Sequence, residues 1–262
     1  MAHQELHSEN EINSSYNAGL KRFEGYSPFE IEVLLNYTFN YSFEDISPIK
    51  INKLKDEDYL KIPILNQVVY VCNLILTNKG LTLTKKGNLQ KATVLDIYKQ
   101  GFIKDKYIES GLIALRREKD SFSIRFTKDL LLTTHMVKKR YSNLSLTKKG
   151  FYLLNNKDEL LKTLFKAIGY DLNWERYDRF GKNNISSYGY GFSIILLDRF
   201  GSRKRKSSFY ANKYFTAFPF VEKSFSKPDC GNKKKQIQEC YSIRTFDHFT
   251  NFFGITKTFQ KN

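Results

Sequence analysis

The chain is short of several residue types, and each shortage narrows what it can do. One Trp, two Met, three Cys and four His stand among 262 residues. Three cysteines cannot build the disulfide framework of a small secreted domain. Cys72 lies in an apolar helical run and reads as a small core residue. Cys230 and Cys240 could pair, or with His248 could suggest a metal. Their spacing matches no standard zinc pattern and no fourth ligand is evident, so they read as reduced thiols. The histidines, at 3, 7, 135 and 248, share no useful ligand spacing beyond His3 and His7. No Gly-x-Ser-x-Gly occurs. Tyr188-Gly189-Tyr190-Gly191-Phe192 lacks the spacing of a dinucleotide fingerprint, and no Walker lysine follows it. Asp171, Glu175 and Asp178 have helix-like spacing and could hold a cation for nuclease chemistry, but Arg176 and Arg179 interleave with them, so they read as surface charge. No catalytic residue, metal or cofactor is assigned.

Long apolar runs are missing too. The longest, Val68 to Leu76, is interrupted by Asn73 and is too short to cross a bilayer. Met1-Ala2-His3-Gln4-Glu5-Leu6 carries neither a basic leader nor an apolar core. The expectation is a soluble, cytoplasmic protein with no membrane partner.

What is abundant is rings and positive charge. The 22 Phe and 17 Tyr, within 41% hydrophobic residues, can build one core or two smaller ones. The formal net charge is +16. Residues 131–262 hold 25 Lys+Arg against 10 Asp+Glu, whereas residues 1–130 hold 18 against 17. Compositional drift would spread over both halves. A one-sided excess creates the kind of field that attracts phosphate polymers.

Along the chain, residues 1–12 read as loose. Ser27, Pro28 and Glu30 form a helix start with a capping box. Residues 37–60 read as a solvated loop. A helix from Ile62-Pro63 to about Thr77 stops at Asn78-Lys79-Gly80. Further helices are expected over 88–101, 108–115, 158–168 and 192–200. The basic runs Arg203-Lys204-Arg205-Lys206 and Lys233-Lys234-Lys235 are read as loops. Phe209, Tyr210, Tyr214, Phe215, Phe218 and Phe220 read as a buried aromatic face, and Tyr241 to Gly254 as a segment that docks on the core.

The organising stretch is Asp120 to Asn155. Phe122, Phe126 and Leu130 repeat at helical spacing, with Arg125 and Lys128 together on a more polar face. Val137-Lys138-Lys139-Arg140, Tyr141-Ser142-Asn143 and Leu144-Ser145-Leu146 read as strand, turn and strand, and Thr147 caps a helix opening Lys148-Lys149-Gly150. Leu81-Thr82-Leu83-Thr84-Lys85-Lys86-Gly87 repeats Leu144 to Gly150 at six of seven positions, 63 residues earlier. Either two winged-helix units stand in tandem, or one local device, a strand feeding a capped helix, is used twice. The second is preferred because no hairpin precedes the first copy, whose strand is free to pair with the hairpin at 137–146.

This pattern resembles the wing region of MarR- and PadR-type winged-helix regulators. The resemblance implies that the helix before the wing enters the DNA major groove and that the wing touches phosphate or the minor groove. Gly25 to Glu30, Ile62 to Leu65, Leu81 to Leu89 and Gly189 to Phe192 also resemble landmarks of a bacterial family of uncharacterised proteins, with Tyr26 in place of a Leu and Gln90 in place of a Pro. That likeness speaks for the coherence of the chain and not for a mechanism.

The expected fold is mainly α with a small β hairpin or sheet: a winged-helix domain plus a helical C-terminal domain. The segments are 1–80 (helical), 81–156 (winged-helix-like) and 157–262 (basic, aromatic-rich). The expected function is non-catalytic, regulatory nucleic-acid binding, DNA favoured over RNA. Arg125 and Lys128 would enter a groove, Lys138, Lys139, Arg140, Lys148 and Lys149 would grip phosphates, and Arg203, Lys204, Arg205 and Lys206 would add a second grip. The alternatives are a protein-interaction subunit of a mobile-element or phage-defence system, meeting an acidic partner, and an enzyme of unknown class.

Overall fold

A computed structural model describes residues 14–36, 46–181, 183–186, 188–225 and 232–259. The expectations for residues 1–12, for His3, His7 and Cys230, and for part of the 37–60 loop lie outside these. In chain order the helices are α1 (Pro28–Asn36), α2 (Asp56–Tyr59), α3 (Pro63–Thr77), α4 (Lys91–Lys99), α5 (Lys106–Glu109), α6 (Phe122–Thr133), α7 (Lys148–Leu154), α8 (Lys157–Lys166), α9 (Tyr190–Phe200), α10 (Ser207–Ala217), α11 (Pro219–Lys223) and α12 (Lys233–Ser242). The strands are β1 (Leu81–Thr82), β2 (Val137–Arg140), β3 (Asn143–Leu146), β4 (Ile185–Ser186) and β5 (Tyr188–Gly189). The fold is mainly helical with a small three-stranded antiparallel sheet.

The chain forms two compact units, each built from separated segments. The first comprises residues 1–52 and 178–245, the second 53–177 and 246–262. The expected boundaries at 80/81 and 156/157 both fall inside the second unit. The reason is packing: α3, assigned to an amino-terminal segment, contacts β3, α6, α7 and α8. Its Gln67 amide donates to Thr127 Oγ1 at 2.7 Å and to the Ser123 carbonyl at 3.2 Å.

In the first unit, α1 begins as its sequence demands. Ser27 Oγ accepts from Glu30 N at 3.2 Å, and the Ser27 N–H donates to the Glu30 carboxylate at 2.7 Å. Rings fill the core: Phe218 meets Phe23 at 5.9 Å and Phe192 at 5.2 Å, and Tyr214 meets Tyr241 at 4.7 Å. Arg244 is 1% exposed. Its Nε and Nη2 donate to the two Asp178 oxygens at 2.6 and 3.0 Å, and its remaining donors reach Asn183, Ile185 and Gly181. Burial works against its charge most strongly of any single cause, but the Asp178 hydrogen bonds and the attraction of Asp178, Cys240 and Tyr190 together hold its pKa above the ordinary value. Asp178 therefore anchors a loop and is not surface charge, as its place among arginines suggested. Lys233 to Lys235 open α12, capped by Asn232, instead of lying in a loop.

In the second unit β3 is the central strand, in the order β1-β3-β2. Val137 pairs with Leu146 and Arg140 with Asn143, leaving Tyr141-Ser142 as a two-residue turn. β1 pairs with β3 through Leu81–Leu144 and Thr82–Asn143, so the two repeated sequences meet in one sheet. The segment 108–115 holds no helix beyond the single turn of α5. Phe246, Phe249, Phe252 and Phe253 are buried, with Phe165 4.8 Å from Phe249 and 4.7 Å from Phe253. Cys72 is fully buried, which pushes its thiol pKa up to about 12 and leaves it inert.

Candidate nucleic-acid interface

The hairpin takes its place from the end of α6. Thr134 closes the helix, His135 turns left-handed at φ 57°, and Met136 N reaches back to the Leu131 carbonyl at 3.0 Å. That stop aims β2 outward. Val137 and Leu144 are buried, while Lys138, Lys139, Arg140, Tyr141 and Ser142 are exposed. Lys148 and Lys149 at the start of α7 are exposed as well. Thr147 caps α7 by accepting from Gly150 N at 3.0 Å.

The first copy of the repeat contributes cations that the sequence reading did not assign. After β1 the chain makes a tight turn, with Gly87 at φ 78° and its N–H on the Thr84 carbonyl at 2.7 Å. The first copy is thus a strand and a turn, not a strand feeding a capped helix, and α4 starts only at Lys91. Lys85 and Lys86 on this turn are exposed. A Cβ built on Gly87 would lie 2.4 Å from Lys139 Nζ, so the turn abuts the hairpin. Among the described residues, none of Lys85, Lys86, Lys138, Lys139, Arg140, Lys148 and Lys149 belongs to an ion pair. The signal for Lys85 and Lys86 was the repeat itself.

The two cations expected to enter a groove are placed elsewhere. No residue of α6 is exposed. Lys128 is 9% exposed, ion-paired with Glu118, and donates to the Gly87 carbonyl at 3.2 Å. Arg125 lies partly buried with its guanidinium 5.2 Å from the Tyr177 ring centre. Tyr177 donates to Asp129 at 2.7 Å, and burial raises its pKa above the ordinary value. Phe122 stacks on His248 at 4.1 Å, and Phe126 contacts Phe252 at 5.4 Å and Trp174 at 5.7 Å. With apolar or aromatic partners on so many sides, α6 keeps only a partly buried stripe, Phe122, Arg125, Asp129, Leu132 and Thr133, and presents no exposed residue to a groove.

Arg203, Lys204, Arg205 and Lys206 are exposed in a loop, as expected, but in the first unit. Arg205 is partly engaged, its guanidinium 4.4 Å from the Phe209 ring centre. Counted by unit, the charge redistributes. The first unit holds 17 Lys+Arg and 13 Asp+Glu, the second 26 and 14. The excess therefore follows the hairpin. It looked like a carboxyl-terminal property because the acidic amino-terminal segment belongs with the 203–206 run.

Among the described residues no group of three His, Cys, Asp or Glu side chains is placed to hold a metal ion, and no helix is long and apolar enough to cross a membrane. Comparison with protein-family models, curated proteins and solved structures gives no match.

Proposed function

We propose that the chain is a nucleic-acid-binding protein, DNA favoured, that grips backbone phosphate with the hairpin at 137–146, the start of α7 and the adjoining Lys85-Lys86 turn. The observation that carries this is the set of seven exposed cations without ion-pair partners around one hairpin. Cations spent on internal ion pairs would release no condensed counterions on meeting a polyanion, and these are not so spent. The order strand, helix, helix, helix, hairpin from β1 to β3 and the sheet order β1-β3-β2 support a winged-helix reading of the unit. The buried α6 argues that contact runs through the wing and not through a helix in the groove.

A mobility-shift titration on random duplex and on a random single strand at several salt concentrations tests this. Each phosphate contact contributes a salt slope of about 0.9, so Lys138→Ala/Lys139→Ala/Arg140→Ala should flatten the slope by roughly 2 to 3 units. Binding that is absent at low salt, or a slope unchanged in the triple variant, sinks the proposal.

A second reading, an acidic protein partner, is favoured by one feature. Phe151 and Tyr152 on α7 are 49% and 58% exposed beside Lys148 and Lys149, apolar surface that a phosphate backbone does not need. Phe151→Ala/Tyr152→Ala should leave the salt titration untouched if the ligand is nucleic acid alone.

A further inference from the structure

Tyr141 occupies the tip of the hairpin, and folding does not account for it. It is the first residue of a two-residue turn between Arg140 and Asn143, at φ 52°. Such turns need positive φ at this position and favour Gly, Asn or Asp, because a Cβ crowds the backbone there. A bulky ring in this conformation is uncommon. Nothing in the core compensates, since Tyr141 is 86% exposed. An outlier of this kind at an exposed tip points towards a role outside the fold.

The surroundings say which role. The turn is tied down: Leu83 N donates to the Ser142 carbonyl at 2.7 Å, which fixes the tip to the strand that carries the first repeat. The Arg140 guanidinium lies 5.5 Å from the Tyr141 ring centre. Lys139, on the neighbouring position, reaches the Gly87 turn with its Lys85 and Lys86. The result is an exposed aromatic ring on a braced tip, in the company of cations that have no acidic partner.

We infer that Tyr141 is a stacking platform for an unpaired base, so that the polyanion gripped by the hairpin is a single-stranded segment. A ring can stack on a base only where the base is not already stacked within a duplex. The cations beside it neutralise the flanking phosphates, and α6, the helix before the hairpin, offers no exposed residue to a duplex groove. The inference rests on the phosphate-binding reading above but asks for more: a base, and not only a phosphate chain.

Anisotropy titrations at one salt concentration separate the two. The probes are a labelled oligothymidine strand, the duplex it forms with its complement, and inorganic polyphosphate as a base-free competitor. Tyr141→Gly suits the turn, so the variant is expected to fold. It should bind oligothymidine about 5- to 150-fold more weakly, the range that loss of one stacked base gives. Tyr141→Phe should bind it like the wild type, and polyphosphate should compete equally against all three proteins. If Tyr141→Gly binds oligothymidine as the wild type does, or loses as much affinity for polyphosphate or duplex, stacking is overturned while the phosphate grip stands. If the wild type binds none of the three probes, both readings fall.

Discussion

Leu81 to Gly87 and Leu144 to Gly150 differ at one position, Thr82 against Ser145, and pair with each other in one sheet, yet they leave it differently. After the second copy Thr147 caps a helix and Gly150 sits inside it, packed so tightly that a Cβ would meet the Met136 carbonyl oxygen at 2.1 Å. After the first copy Thr84 closes a turn, accepting from Asn88 N at 3.1 Å, and Gly87 is left-handed. The same glycine serves close approach in one copy and backbone reversal in the other.

What decides the first outcome lies elsewhere in the chain. Glu118 accepts from Leu89 N at 2.6 Å, and Lys128, paired with Glu118, donates to the Gly87 carbonyl. A buried ion pair thus holds the chain where it leaves the turn. After the second copy no such clamp is present among the described residues, and Phe151-Tyr152-Leu153-Leu154 continues at helical spacing with Leu153 buried. The shared Leu-Thr-Lys-Lys-Gly therefore yields a turn or a helix according to the residues that follow it and to which backbone groups a distant side chain claims.

The clamp offers the largest test. Lys128→Met leaves a buried Glu118 carboxylate uncompensated and should cost about 3–5 kcal/mol in urea unfolding. Lys128→Met/Glu118→Leu should recover much of that, because the charge goes with its partner. A Lys128→Met protein as stable as the wild type would mean the turn does not depend on the clamp.

Next come the glycines. Gly150→Ala forces a methyl against backbone and should cost about 2–4 kcal/mol. Gly87→Ala meets only the flexible end of Lys139 and should cost about 1–2 kcal/mol, chiefly from its left-handed backbone. Thermal melts that reverse this order would contradict the assignment of the two roles.

The threonines should show the smallest difference. Thr147→Ala removes a helix cap and should cost about 1 kcal/mol, while Thr84→Ala loses one exposed turn hydrogen bond and should cost about 0.5 kcal/mol. Amide exchange confined to α7 in the first variant and to residues 84–88 in the second would locate each effect.

Much of the fold was legible locally. The Ser27 capping box, the start at Pro63 and stop at Asn78-Lys79-Gly80 and the hairpin at 137–146 depend on neighbours in sequence or on strand alternation, and the first repeat reads as a strand able to pair with that hairpin. The exposed cations of the candidate interface were half legible. Lys138, Lys139, Arg140, Lys148 and Lys149 are exposed because strand ends and helix starts project long cations whatever lies behind them. Lys128 was misplaced because helical spacing says which residues share a face, not whether that face is solvent; the acid that neutralises it stands ten residues earlier, outside the helix. Lys85 and Lys86 were passed over because only strand pairing brings them to the hairpin.

The amino-acid sequence by itself determined where some helices begin and end, as at Ser27-Pro28, Pro63 and Asn78-Lys79-Gly80, which runs are basic, and that a strand, turn and strand follow the helix opening at Phe122. These follow from capping chemistry, backbone preference and side-chain periodicity, which act over a few residues. Only the tertiary structure decided which cations are free, which copy of the repeat becomes a turn, and that the charge belongs to a unit assembled from separated segments. Those outcomes depend on burial and ion pairing between residues far apart in the chain, whose free energies local preference cannot anticipate.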